Sequence, residues 1–538
     1  MSVFTVDKFF ARKTELDVLT KKVESLKNGY RHNLAILGRR QIGKTSLLLR
    51  FLSVLDKREI VPIYLDLSTL SLRGFLDQFV GMMLYHHYKP FNDNTEDDLE
   101  LLLHAASSDL PKTRKKIKSI YLNAEEGKER SALQELFDLP TIFSGETGKF
   151  CIIILDNFRK LTEYSLKEPF SMLGEKIMMQ KMSLYVLSDY LNADSKSILS
   201  EKLSLLFGKF QILELGSFDF NESISFIDLA CRQPKLMVEL KEFLAYFTDG
   251  NPFYLGALTE YITKKAADKR MLAISEKDFC AMLSSAIFDK FSPINLYFSR
   301  LLDKSAGNAN FKNAVDVLNA TIGKNKLTQI ADASKCARKI VSKLLEKFIA
   351  QDIIIKNGPL YAIEDEIFKS WVRLKYAASG AQIKLGQKGY VDKYDIIIRS
   401  FIESFRKERE KGADNKILNL VAAFDNEKIA VNEKTHILPA FKHIRTEGVN
   451  SEDFLLTAHG SKLWVFSVFR RLADENSILG FINYCKSQGH RVSRKVLIVP
   501  GGITPEAKLM AMEERMWIWP IDKLNNLLNL YRKPKITL

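Results

Sequence analysis

Hydrophobic positions change rhythm several times along the chain, and each change marks a different kind of element. Asn33–Leu37 (NLAIL), Ile60–Leu65 (IVPIYL) and Cys151–Leu155 (CIIIL) are short, nearly unbroken apolar runs, the pattern of strands buried on both faces of a sheet. Ser46–Ser53 (SLLLRFLS) has helical character and follows the first run after a glycine-bearing loop, which gives strand, loop and helix in that order. A polar stretch opening near Asn92 leads into about 95–145, read as a mostly helical insertion beside this first sheet. Residues 327–331 and 337–348 predict two short helices with a break at Ala333-Ser334, and 353–363 predict strand, Asn357-Gly358 turn and strand. Further on, 452–458, 463–469 and 495–500 read as strands alternating with helices around 477–487 and 504–514. The pattern predicts an α/β chain: a core with a parallel sheet, then a largely helical region, then a small α/β domain.

The loop after the first strand carries the chemistry. Gly38-Arg39-Arg40-Gln41-Ile42-Gly43-Lys44-Thr45 is a complete G-x-x-x-x-G-K-[ST] phosphate loop in the strand-to-helix context that its mechanics require, so the core is expected to be a P-loop NTPase fold. Gly38 and Gly43 let backbone amides curl around a phosphate, and the next helix points its positive end at it. Lys44 adds charge, the Thr45 hydroxyl is the expected Mg²⁺ ligand, and Ser46 completes the phosphate-binding set. The implied ligands are ATP and Mg²⁺. Asp156, ending the CIIIL run, is the expected second metal-holding group. Asn157 follows it, and an amide orients water but takes no proton near neutral pH, so binding is expected ahead of turnover. Asp66, ending the second run, is the substitute base; its bland alternative is a solvated residue at a strand end.

Further segments fall in a familiar order. Phe9-Phe10-Ala11-Arg12-Lys13-Thr14-Glu15-Leu16-Asp17-Val18-Leu19 resembles the Phe-x-x-Arg-x-x-Glu-Leu-x-x-Leu entry helix of archaeal-type STAND ATPases, signal-transduction ATPases with numerous domains. Leu184–Ser188 sits where that family has its sensor strand, Leu206-Phe207-Gly208-Lys209-Phe210 where it has Leu-x-Gly-Arg, and Gly250-Asn251-Pro252 is similar to its Gly-x-Pro motif. The resemblance covers roughly residues 1–375 and implies a nucleotide-gated switch. It departs from the family at two catalytic positions. Asn157 replaces the usual Glu, and Lys209 replaces an Arg whose bidentate fork a lysine cannot reproduce. Both imply slow or absent hydrolysis.

The helix-turn-helix and hairpin of 311–376 look like a winged helix, and Tyr361-Ala362-Ile363-Glu364-Asp365 with Trp371 resembles the ending of that module in archaeal-type ATPases. Arg338, Lys339, Lys343 and Lys347 on its second helix are candidates to meet DNA phosphates. The last segment resembles a restriction-endonuclease-like domain. An active one needs an Asp on the first strand and Glu-x-Lys on the second. Asp453 suits the first acid, but the other two positions hold Ser467 and Phe469, so the domain is expected to be inactive. The resulting partition is 1–230 for the ATPase domain, 231–310 for a helical lid, 311–376 for the winged helix, 377–415 for a helical linker with a hinge at Ala377–Ala381, and 416–538 for the C-terminal domain.

Composition adds partners and location. A 46% hydrophobic fraction over 538 residues is enough for several ordinary cores. No apolar run reaches the ~18 residues of a spanning helix, and the first residues lack the apolar core of a signal peptide, so a cytoplasmic location is expected. Five scattered cysteines read as reduced core residues, and His86-His87 as surface residues. The net charge of +15 favours salt-sensitive attraction to nucleic acid, with basic clusters at 112–118, 406–411 and 490–495, although such runs are commonly solvated faces. Three functions stay open on sequence grounds. They are an ATP-gated switch displaying its later domains to a nucleic-acid or protein partner or to a second copy, a DNA-stimulated ATPase in defence or mobile-element biology, and a pseudo-ATPase scaffold.

Overall fold

The computed structural model describes residues 9–68, 70–90, 97–164, 168–191, 193–203, 210–306, 311–376, 387–410, 413–431, 434–448, 454–460, 462–488, 492–533 and 535–536. They form two compact units, one of residues 1–218 with 251–256 and the other of 219–250 with 257–538. The expected hinge at Ala377–Ala381, Asp453 and Lys209 lie outside the described residues.

In the first unit, β1 (Leu34–Gly38), β2 (Ile60–Asp66), β3 (Phe150–Asp156), β4 (Ser183–Tyr190) and β5 (Gln211–Leu215) form one sheet in the order β2-β3-β4-β1-β5, with every pairing parallel. The unbroken apolar runs are explained by burial on both faces. Ala35, Leu37, Cys151, Ile153 and Leu155 join the core on one side, while Leu34, Ile36, Ile152 and Ile154 join the core on the other. This is the P-loop NTPase core that the sequence predicts. The segment between β2 and β3 holds helices Leu99–Asp109, Pro111–Glu125 and Glu129–Thr147, whose Leu102, Ile117, Leu133 and Phe137 share the first of those cores. Arg12 clamps the entry helix Lys13–Lys27: its guanidinium pairs with Glu15 at 3.2 Å, donates to the Gly216 carbonyl just past β5 and stacks on Phe218.

In the second unit, helices Leu327–Ser334 and Arg338–Ala350 are followed by an antiparallel hairpin, β6 (Ile355–Asn357) and β7 (Leu360–Ala362). The hairpin is built into the C-terminal core, where Leu360 and Ala362 pack with Ile417, Leu420 and Trp519. Asn357 exchanges two hydrogen bonds with the Ala430 backbone, at 3.1 and 2.6 Å, within the second hairpin, β8 (Glu427–Val431) and β9 (Lys434–Leu438). A mixed sheet follows in the order β10 (His443–Gly448), β11 (Phe454–His459), β12 (Leu463–Val468), β13 (Val492–Val499), β14 (Trp517–Pro520), antiparallel through β12 and parallel afterwards.

His86 and His87 depart from the surface expectation. They are half-buried on helix Leu72–Tyr88, His87 packs edge-on against Phe143, and burial pushes both imidazoles down to about 4. Of the five cysteines, Cys151, Cys231, Cys280 and Cys485 are buried in cores, whereas Cys336 is only half-buried. Among the described residues no helix is long and apolar enough to cross a membrane, and no group of His, Cys, Asp or Glu gathers at metal-holding spacing.

Candidate nucleotide site

The phosphate loop is shaped by two close approaches. A Cβ on Gly38 would stand 2.6 Å from the Leu215 carbonyl oxygen, so only glycine lets β1 end against β5 there. Gly43 has φ +92° at the N-terminus of helix Lys44–Ser53, a left-handed conformation that glycine adopts without strain. The loop therefore curls, and the helix begins with its unsatisfied amides facing the concavity. Lys44 is buried, with Nζ donating to the carbonyls of Gly38 at 2.9 Å and Arg39 at 2.8 Å. These bonds lay the lysine across its own loop.

Parallel register then brings the second strand end to the loop. Thr45 Oγ1 donates to Asp156 Oδ2 at 2.7 Å, and the Tyr64 hydroxyl donates to the same oxygen at 3.1 Å. Asp156 is 2% exposed, and burial pushes its carboxyl above the usual carboxylate range, with the nearby Asp66 adding to the rise and the hydroxyl of Thr45 and the charge of Lys44 opposing it. Asp66 and Asp156 are register partners, as are Asp156 and Ser188. Asn157, in the left-handed region at φ 58°, donates its side-chain amide to Asp66 Oδ1 at 2.7 Å. Asp66 Oδ1 also accepts the Ser68 backbone N–H at 3.0 Å, so it is an anchored acceptor instead of a solvated strand end.

Of the residues singled out in the sequence, Gly38, Asp66 and Asp156 end β1, β2 and β3, Asn157 follows β3 directly, and Gly43, Lys44, Thr45 and Ser46 lie on the loop and helix that follow β1, with Thr45 joined to Asp156. Lys209 lies outside the described residues. The residues fit magnesium by their chemistry, since the Thr45 hydroxyl and Asp156 carboxylate are hard oxygen donors already within hydrogen-bonding distance of each other. A cation inserted there would also relieve the buried charge of Asp156.

Three residues were missed in the sequence reading. Tyr64 bonds Asp156, and Asp189 with Tyr190 ends β4 beside the loop, whereas the sequence reading stopped that strand at Ser188. The only signal was an acidic residue at the end of an apolar run, the same one that picked out Asp156. Pro252 of the Gly-x-Pro motif is also near, its Cγ 3.9 Å from where a Gly43 Cβ would lie, with Asn251 Oδ1 capping the following helix at the Phe253 N–H.

The basic clusters divide by what they touch. Arg406 pairs with Glu239 and Glu276, Lys495 with Glu514 at 2.5 Å, and Arg494 stacks on Trp517, so these three cations of the two later clusters are engaged within the chain, while Lys407 is exposed. Arg114, Lys115 and Lys118 are exposed on their helix, as are Arg338, Lys339 and Lys343 on theirs, with Lys347 half-buried.

No protein-family model and no curated protein sequence matches the chain. Solved structures do. The Walker-type ATPase of Pyrococcus abyssi is 17% identical with a TM-score of 0.45, covering 68% of this chain and 97% of its own. The ORC2 protein of Aeropyrum pernix in its ADPNP–ADP complexes is 13% identical at 0.43, covering 70% and 98%. A RuvB variant of Thermotoga maritima is 12% identical at 0.35, covering 68% and 96%. At these identities and scores the likeness assigns no activity.

Proposed function

We propose that this chain is an ATP-binding molecular switch of the STAND-like P-loop type, with slow or no hydrolysis, which controls the display of a winged helix and an inactive restriction-endonuclease-like domain to a nucleic-acid or protein partner. The observation that carries this is the convergence of Lys44, Thr45 and Asp156 at one loop, with Asn157 tied to Asp66 instead of holding a water-activating carboxylate. In this reading the loop amides and Lys44 hold the phosphates, while Thr45 and Asp156 hold Mg²⁺, which would neutralise charge on the terminal phosphates. Asn157 and Asp66, joined by their hydrogen bond, orient water, and the amide at 157 supplies no base. The proposed partition is that of the sequence: ATPase domain to 230, lid to 310, winged helix to 376, linker to 415 and C-terminal domain beyond.

DNA contact in this reading falls to helix Arg338–Ala350 and not to the hairpin, because Leu360, Ala362 and Asn357 are packed against the C-terminal domain. The exposed Arg338, Lys339 and Lys343 favour a second reading, a DNA-stimulated ATPase. Titration of Mg·ATP into the purified chain, with turnover followed in the same samples with and without duplex DNA, separates the two. Tight Lys44-dependent binding with little turnover supports the switch; turnover raised by DNA replaces it with the DNA-acting enzyme. Absence of ATP binding leaves only the pseudo-ATPase scaffold.

A further inference from the structure

Three cations gather on one aromatic ring beside the phosphate loop. From the centroid of Tyr190, Arg40 Cζ lies 4.2 Å away, Lys44 Nζ 4.9 Å and Arg159 Cζ 5.7 Å. The ring quadrupole offsets part of their mutual repulsion, and the three cations outnumber the carboxylates of Asp189 and Asp156 that also act on the ring, which leaves the site attractive to an incoming anion. Two of them belong to the loop. Arg159 belongs to the turn Phe158–Glu163, directly after Asp156 and Asn157.

Its placement is fixed from β4. The buried Asp189 accepts the Arg159 backbone N–H at Oδ2, 2.9 Å, and the Tyr190 N–H at Oδ1, 2.7 Å, and its Oδ1 lies 3.2 Å from Arg159 Nε. That last contact is an ion pair without hydrogen-bond geometry, so Nε–H is buried with no hydrogen-bond partner. The other acid nearby, Asp194, is 3.6 Å from Nη1 and 76% exposed, where an ion pair holds weakly. Arg159 is thus positioned by its backbone while its guanidinium retains donors for a ligand.

We propose that Arg159 contacts the terminal phosphate of the bound nucleotide, so that the site distinguishes a triphosphate from a diphosphate through a cation supplied by the same chain. The inference rests on the nucleotide-binding reading above. Lys44 of such a loop reaches toward the β- and γ-phosphates, and Asp156 would help to hold a metal that neutralises their charge, so a cation that shares the Tyr190 ring with Lys44 and follows Asp156 in the chain lies toward the terminal phosphate. An arginine fork matches phosphate oxygens in a way that a lysine does not.

Calorimetric titration of the full chain with Mg·ATP and with Mg·ADP tests it on R159A, R159K and K44A. R159A is expected to weaken ATP by roughly ten- to a hundredfold while ADP changes by less than about threefold, with R159K between R159A and the parent. Equal losses for both nucleotides, or no loss, overturn the proposal. Should removing the cation beside buried Asp189 prevent R159A from folding, R159K retains the charge, and an unchanged ATP-to-ADP ratio in R159K overturns the proposal by itself. K44A separates the two layers. If K44A binds both nucleotides like the parent, the nucleotide-site reading fails; if K44A loses both and the Arg159 variants keep the parent ratio, only the Arg159 assignment fails.

Discussion

The two large sheets of this chain are built from similar apolar runs and finish differently. β3 ends in Asp156, which meets Thr45 and Tyr64 and stands in register with Asp66 and Ser188. β12 is fully buried and runs on toward Phe469. Ser467 is 2% exposed and paired in register with Leu455 and Leu497, while Phe469 packs among Leu455, Val465 and Leu497. An apolar run determines that a strand is buried in a sheet; the residues at its end determine whether the sheet has any chemistry. At the first sheet polar groups are brought together and satisfy one another. At the second, Ser467 and Phe469 lie in the core.

The sharpest way to break this comparison is to write into the second sheet the acid and lysine that a restriction-endonuclease-like domain would need. The double substitution S467E/F469K places two charges among aliphatic side chains and removes a ring, which is expected to destabilise the C-terminal domain by at least about 4 kcal/mol. Urea unfolding followed by tryptophan fluorescence would report it, since Trp464, Trp517 and Trp519 share that domain's core. A stable variant that cleaves DNA with Mg²⁺ would instead mean that the site was merely dormant. The corresponding change in the first sheet, K44A, should spare the fold and remove the ligand. ATP affinity is expected to fall about a hundredfold or more, while stability changes by no more than about 1–2 kcal/mol, because the lysine's hydrogen bonds to two carbonyls of its own loop and its place over the Tyr190 ring are offset in part by the cost of burying its charge. Near-parent affinity would refute the assignment of the loop.

A smaller effect should follow from altering the pair that replaces the usual base. N157E alone would set a second carboxylate against Asp66, now 2.7 Å from the Asn157 amide, so the gain requires the exchange N157E/D66N. The exchanged pair is expected to hydrolyse ATP at least about tenfold faster than the parent, measured as phosphate release at saturating ATP. No gain would place the deficiency elsewhere in the site.

The sequence made the first sheet legible because its signals are local. A glycine-bearing loop of this spacing, set between a buried strand and a helix, has little use except to cradle phosphate, and an acid closing a buried run stands out against it. Asp66 was visible for the same reason, but its pairing with Asn157 was not, since register between β2 and β3 depends on a connection of over eighty residues that no local pattern constrains. Tyr190 and Asp189 were overlooked because a tyrosine after an apolar run reads as the end of a strand. The hairpin at 355–362 was legible from Asn357-Gly358, whereas its packing with Ile417, Leu420 and Trp519 was not, because Leu360 and Ala362 look the same whether a hairpin is free or covered. Neighbours on a helix diverge, which predicts His86 and His87 at the surface; that argument does not foresee Phe143 of helix Glu129–Thr147, against which His87 packs.

The smallest expected effect tests whether the first sheet keeps its site at a cost to stability. Asp156 is an acid whose folded-state pKa lies above its unfolded value, chiefly because burial disfavours its charge. Between those two values the folded chain retains a proton that the unfolded chain has lost, so stability falls as pH rises through that window and the penalty is complete above it. D156N removes the charge while leaving an oxygen for the Thr45 and Tyr64 hydroxyls. Without nucleotide, D156N is therefore expected to melt roughly 2–4 °C higher than the parent near neutral pH, the shift that about 1 kcal/mol produces in a domain of this size. The advantage should shrink as pH falls through the folded-state pKa and be gone below about 4, the ordinary pKa of the unfolded carboxyl. With Mg²⁺ and ATP the order should reverse, because the parent gains a cation at Asp156 that the amide holds poorly. A D156N variant less stable than the parent at every pH would show that Asp156 serves the fold first and that its position at the phosphate loop is incidental.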